Sequence, residues 1–190
     1  MTRTSSLLAA IALLNGCSGE HARTPTEATV QLQPQVLTSS AQSAAVSQDL
    51  ATLRQVTAPF HNFDQAAAAG WSAQITPCMA SPAGGMGFHY GNVALIDGTA
   101  RVDQPELLLY EPESNGQLRL VAVEYIIPYT LRSRDATPPV LFGRQFKQND
   151  VFQLWALHAW VWKDNPSGIF ADWNPLVTCP AGSAASTMVH

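Results

Sequence analysis

Two apolar runs constrain this chain more than any other feature: residues 118–127, Leu-Arg-Leu-Val-Ala-Val-Glu-Tyr-Ile-Ile, and residues 152–162, Phe-Gln-Leu-Trp-Ala-Leu-His-Ala-Trp-Val-Trp. Successive side chains of a strand point to opposite faces. In the second run Leu154, Ala156, His158, Trp160 and Trp162 fall on one face and Trp155, Leu157, Ala159 and Val161 on the other, so both faces are largely apolar. Such a strand is covered on both sides, as in a barrel or a strongly curved sheet wrapped around a helix. The first run pairs with residues 107–111 across Ser114-Asn115-Gly116. Asn-Gly accepts the positive φ angles of a tight hairpin, so an antiparallel pair is expected there.

The cover for one face is expected to be helical. Ser47 is a good N-cap, and Leu50, Leu53 and Val56 follow near helical spacing over 48–56. A second helical segment puts Phe60, Phe63, Ala67 and Trp71 on one stripe, with Gly70 as its stop and Pro59 kinking or separating the two. His61 and Asp64 lie off that stripe and read as solvated. The fold class is therefore α+β: an N-terminal helix or helical hairpin packed on a curved, mainly antiparallel sheet, with a barrel as the alternative. Residues 128–150, rich in Pro, Arg and Gly, read as a long loop of the kind that is functional or mobile. Residues 165–175 have turn chemistry at both ends and read as a packed loop returning toward Cys179.

At the N-terminus Arg3 precedes an apolar run over 7–14, followed by Asn15-Gly16-Cys17. That run is too short to span a bilayer as a helix and reads as an export signal over residues 1–16. Leu14-Asn15-Gly16-Cys17 resembles the lipobox of bacterial lipoproteins, which implies a lipid on Cys17. The lipid would anchor the chain to a membrane of the cell envelope, the outer membrane in a Gram-negative cell; ordinary secretion is the alternative. Residues 17–45 hold few large apolar side chains and read as a flexible tether. One globular domain is then expected over 46–190, since 46% apolar residues suffice for a core. A net charge of -4 with 13% charged residues offers no basic surface, which excludes nucleic acid as a partner.

With Cys17 lipidated, Cys78 and Cys179 remain, and in an oxidising compartment they are expected to form a disulfide. The competing reading is a soft metal site of Cys78, Met79, Met86 and His89, ligands that suit Cu(I).

The common catalytic signatures are missing: there is no G-x-S-x-G, no G-x-x-x-x-G-K-[ST], no H-E-x-x-H and no C-x-x-C. Gly84-Gly85-Met86-Gly87 does not match the dinucleotide fingerprint. What stands out is polar residues inside apolar strands. Glu124 interrupts its run, and a carboxylate there is costly to bury unless it is paired or bound to a cation. His158 holds the same kind of position in its strand, and His89 lies in Gly87-Phe88-His89-Tyr90-Gly91. Two histidines and one carboxylate are the ligand set of a facial-triad site and also suit zinc, so a divalent metal ion at His89, Glu124 and His158 is one expectation. The other is a hydrogen-bonded Glu–His pair that fixes strand register, in which His158 could also serve as a general base. Four of the five tryptophans fall between 155 and 173, either as packing or as an aromatic platform for a sugar or other flat ligand.

The run ending Gly70-Trp71, then Gly85-Met86-Gly87-Phe88-His89-Tyr90, Val123-Glu124-Tyr125, Leu157-His158-Ala159-Trp160, and Asn165-Pro166 through Asn174-Pro175 together resemble a family of uncharacterised exported bacterial proteins. The resemblance covers residues 50–180. It implies the extent of the domain and carries no activity. It also implies a further His and Asp shortly before the position of His158, where this chain has Leu154 and Ala156. The functional expectation is an envelope protein that binds a small ligand or a metal ion. A metal-dependent envelope enzyme and a purely structural envelope protein are the alternatives.

Overall fold

The computed structural model describes residues 34–180. The signal over 1–16, Cys17 and the tether as far as residue 33 lie outside the described residues. Helix α1, Pro34–Thr57, begins inside the stretch read as tether. Its Ala, Gln and Leu residues are good helix formers. Its last turns dock onto the sheet: Leu53 is fully buried, and Arg54 Nε donates to the Val161 carbonyl at 3.2 Å. A 3-10 turn, Ala58–His61, contains Pro59 and separates α1 from the short α2, Phe63–Ala68. The Asn62 side chain caps α2 by accepting from the Asp64 and Gln65 amides. His61 and Asp64 are exposed, as expected. Among the described residues no helix is long and apolar enough to cross a membrane.

The strands are β1 (Ala73–Ser81), β2 (Gly84–Gly91), β3 (Leu107–Pro112), β4 (Leu118–Pro128), β5 (Val140–Leu141), β6 (Arg144–Gln145), β7 (Lys147–Asn149) and β8 (Leu154–Ala159). Six of them form one antiparallel sheet in the order β1-β2-β3-β4-β8-β7, while β5 and β6 form a separate ribbon. The sheet curls into a half-barrel against the helix, so the fold is α+β with a barrel-like sheet. The β3–β4 turn lies where the sequence signals it, with positive φ at Gly116 alone (+81°) and not at Asn115, and the Gly116 amide donates to the Glu113 carbonyl at 2.9 Å.

Each face of the sheet has its own core. On the helix side Leu108, Tyr110, Val123, Tyr125 and Leu157 pack with Leu53 and Trp71. On the other side Leu107, Leu109, Ala122, Ile126 and Trp160 pack with Trp173 and Val177 of the C-terminal segment. That segment is held by the Cys78–Cys179 disulfide, with Cα atoms 5.7 Å apart, and by mutual backbone hydrogen bonds between Gly85 and Asn174 at 3.0 Å. Two-sided apolarity in β4 and β8 thus reflects a helix on one face and the returning chain on the other.

Three expectations are corrected here. The copper site built on Cys78 fails, because that sulfur is committed to the disulfide. Residues 128–150 are not a structureless loop: they contain β5, β6 and β7, and β7 pairs with β8. Trp162 does not share the His158 face. The strand ends at Ala159, a turn closes from Val161 N to the Ala159 carbonyl, and Trp162 swings to the helix side, where its indole N–H donates to Thr57 Oγ1 at 3.0 Å.

Candidate metal centre

Strand register brings two of the three candidate residues together. Glu124 on β4 is the direct cross-strand partner of His158 on β8, and Leu107 on β3 lies on the other side of Glu124. A bulge at Val121 sets this register: Leu109 opposes Ala122 while Tyr110 opposes Leu120, so Val121 and Ala122 both face the second core. His89 on β2 is paired with Leu109, a strand further from Glu124. In a flat sheet β2 and β4 would be about 9–10 Å apart; the curl of this sheet brings the imidazole back toward the carboxylate. Gly87 lets β2 run this close to β3. Its φ is +87°, and a Cβ there would lie 2.3 Å from the Tyr110 carbonyl oxygen.

The three side chains are buried, with His89 4%, Glu124 6% and His158 3% exposed. His89 Nε2 lies 3.4 Å from Glu124 Oε2, and His158 Nε2 lies 3.6 Å from Glu124 Oε1. One ligand atom from each residue falls within 4.8 Å of the other two. These separations exceed the usual N–H···O range of about 2.7–3.2 Å. Each is near the roughly 3.3–3.6 Å that separates neighbouring donors when metal–N and metal–O bonds of about 2.0–2.2 Å meet at tetrahedral angles, with the two imidazoles facing different oxygens of Glu124. Both ring nitrogens of His158 are buried without a hydrogen-bond partner, and among the described residues no other buried side-chain nitrogen or oxygen lacks one. Glu124 and His158 form a cross-strand ion pair at 3.6 Å, longer than the hydrogen bond expected in the structural alternative.

Outer residues orient the two rings. His89 Nδ1 is 2.7 Å from Thr76 Oγ1. In the tautomer whose Nδ1–H donates to Thr76, the Nε2 lone pair faces Glu124. His158 Nδ1 points at Asp172 Oδ1, 3.7 Å away, and Asp172 Oδ2 accepts from Lys147 Nζ at 2.8 Å. A metal-bound histidine usually donates its other ring N–H to an oxygen behind it; Thr76 stands within that reach of His89, and Asp172 stands 3.7 Å from His158. Burial, reinforced by His158, drives His89 down to about 3, so its ring is neutral. Burial raises the Glu124 carboxyl, against the pull of His158. Burial alone would lower His158, but Glu124 and Asp172 outweigh it and the ring is raised. Burial likewise opposes ionisation of Asp172, yet His158 and Lys147 hold it at about 2.

The triad borders a cavity of about 60 Å³ that is also lined by Met79, Met86, Phe152 and Leu154. A second cavity of about 300 Å³, bordered by Lys147, Ala156, Asp172 and Trp173, shares Met86, Asn149 and His158 with the first. Leu154 and Ala156, where the resemblance implies further ligands, each border one of these cavities with apolar side chains. Of the two readings of the tryptophan cluster, packing is the one that forms. Trp155, Trp160 and Trp173 are buried, Trp162 is half-buried, and the indoles of Trp155, Trp160 and Trp162 donate to Arg132 and Ser133, Ala171 and Thr57. Thr76 and Asp172 escaped the sequence reading. Thr76 stands beside Cys78 in a stretch read for its disulfide, and Asp172 lies in a loop whose composition says nothing about direction. The chain matches no family model, no curated protein and no solved structure.

Proposed function

We propose that this protein binds a transition-metal ion through His89, Glu124 and His158, with coordination positions left open toward the two cavities. One observation carries the reading: two buried imidazoles, His89 and His158, stand 3.4 and 3.6 Å from one buried carboxylate, Glu124, and neither ring nitrogen of His158 is within hydrogen-bond geometry of a protein group. A buried polar group held beyond hydrogen-bond distance is costly, and a metal ion on Nε2 would give His158 and Glu124 a common partner. The 300 Å³ cavity sharing His158 favours a second reading, a metal-dependent enzyme acting on a small substrate. Placement in the cell envelope through a lipid on Cys17, and kinship with the exported family that the motifs resemble, belong to the same proposal. The disulfide is compatible with that placement.

Equilibrium dialysis of the full-length chain, produced in an oxidising compartment, against Zn(II), Co(II) and copper tests the first reading. One tightly bound ion is expected in the parent. The folded His89→Ala and His158→Ala variants should lose it. No bound ion in a folded parent would exclude the site, and turnover of a small ester, amide or phenol only when metal-loaded would select the enzyme. Release of the protein from the membrane fraction on Cys17→Ser tests the anchor, and unchanged membrane association would refute it.

A further inference from the structure

We infer that the ion held here is copper(I), with the thioethers of Met79 and Met86 taking coordination positions that open toward the smaller cavity; this rests on the metal-binding reading above and names its ion. Met79 on β1 and Met86 on β2 border the same 60 Å³ cavity as the two imidazoles and the Glu124 carboxylate. Both are buried, at 7% and 6% exposure. Thioether sulfur is a soft donor that selects Cu(I) over zinc and over the oxygen-seeking ions.

Charge balance points the same way. Glu124 is the one acidic group bordering that cavity. Asp172, behind His158, is already matched by Lys147 at 2.8 Å. Cys78 cannot supply a thiolate, being in the disulfide. A monovalent ion therefore leaves the buried site neutral, whereas a divalent ion leaves one uncompensated positive charge among apolar walls, which is costly. The cavity, at about 60 Å³, is large enough to admit an ion.

The test is competition for Cu(I) between the full-length chain and bicinchoninate, without oxygen and with ascorbate rather than a thiol, so that the disulfide survives. Zn(II) affinity is measured in parallel against a chromophoric chelator. Met79→Leu, Met86→Leu and the double variant are compared, since leucine conserves most of methionine's volume. Expected is a drop in Cu(I) affinity in each variant, by roughly a hundredfold in the double, with Zn(II) affinity within about threefold of the parent. Copper X-ray absorption on the parent, which needs no variant to fold, should show sulfur scatterers. Unchanged Cu(I) affinity in the double variant, or nitrogen and oxygen scatterers alone, overturns the thioether ligation. A parent that binds Zn(II) but not Cu(I) overturns the copper assignment and leaves the metal site standing, whereas a parent that binds neither ion removes the site itself.

Discussion

Glu124 and Glu106 are both buried carboxyls, 6% and 1% exposed, yet the chain treats them differently. Glu124 faces two imidazoles, while Glu106 has as its hydrogen-bond donor the Ile126 amide, at 3.2 Å. Burial pushes Glu106 up to about 8, with Asp97 adding to the rise and Arg101 and the amide opposing it. The folded state keeps a proton that the unfolded chain loses above about pH 4.5. Its contribution is therefore present at acid pH and is lost as pH rises through about 8. Glu106→Gln, which preserves the acceptor for Ile126, should flatten the decline in urea midpoint between about pH 5 and 8; a decline as steep as the parent's would show that Glu106 does not set it. At the site, Thr76→Val removes the oxygen behind His89 and should weaken metal binding by about 10–100-fold without unfolding the chain; affinity within twofold of the parent would deny Thr76 that role. His89, Glu124 and His158 were legible because a polar side chain in an apolar strand demands an explanation. Thr76 and Asp172 were not, because polar residues in polar or looped surroundings demand none.

Among the elements, the β3–β4 hairpin was readable from the Asn115-Gly116 turn between two apolar runs, and the β1–β2 hairpin was not. Gly84, Gly85, Gly87 and Gly91 blank out the alternation that marks a strand, and the reason they are there, contact with Asn174, Val177, Tyr110 and Ile75, is tertiary. Gly87 is the position at which β2 depends on this most. Gly87→Ala combines a φ of +87° with a 2.3 Å contact and should cost about 2 kcal/mol or more, with metal affinity falling as His89 shifts; a urea midpoint equal to the parent's would mean that β2 can move away from β3. The bulge at Val121 was equally hidden, since an apolar run reads the same with or without it. The β5–β6 turn shows a further limit. Phe142 adopts φ 52°, which sequence rules reserve for Gly or Asn, and it is tolerated because the ring is buried between Tyr125 and Phe170.

For the molecule as a whole, the sequence showed that both faces of the sheet must be covered, and α1 was visible as the cover of one. The cover of the other, a C-terminal segment without periodicity, is recognisable only from its disulfide to Cys78 and its contacts with Gly85. The larger cavity beside His158 lies between that segment and the sheet, bounded by Asp172 and Trp173, so ion binding and global stability should be linked. An ion bound by the folded state alone adds about 2.7 kcal/mol at a free concentration one hundred times its Kd. Thermal unfolding should shift upward on loading and return to the apo value with a chelator, and the shift should vanish in His158→Ala; an equal shift in that variant would place the ion elsewhere. The most direct measurement is an anomalous difference map from crystals of the metal-loaded protein, collected at the absorption edge of the bound ion. One peak within bonding distance of His89 Nε2, His158 Nε2 and the Glu124 carboxylate is expected. A peak at another place, or none at the triad in crystals shown by fluorescence to contain the metal, would contradict the assignment of these residues as the binding site.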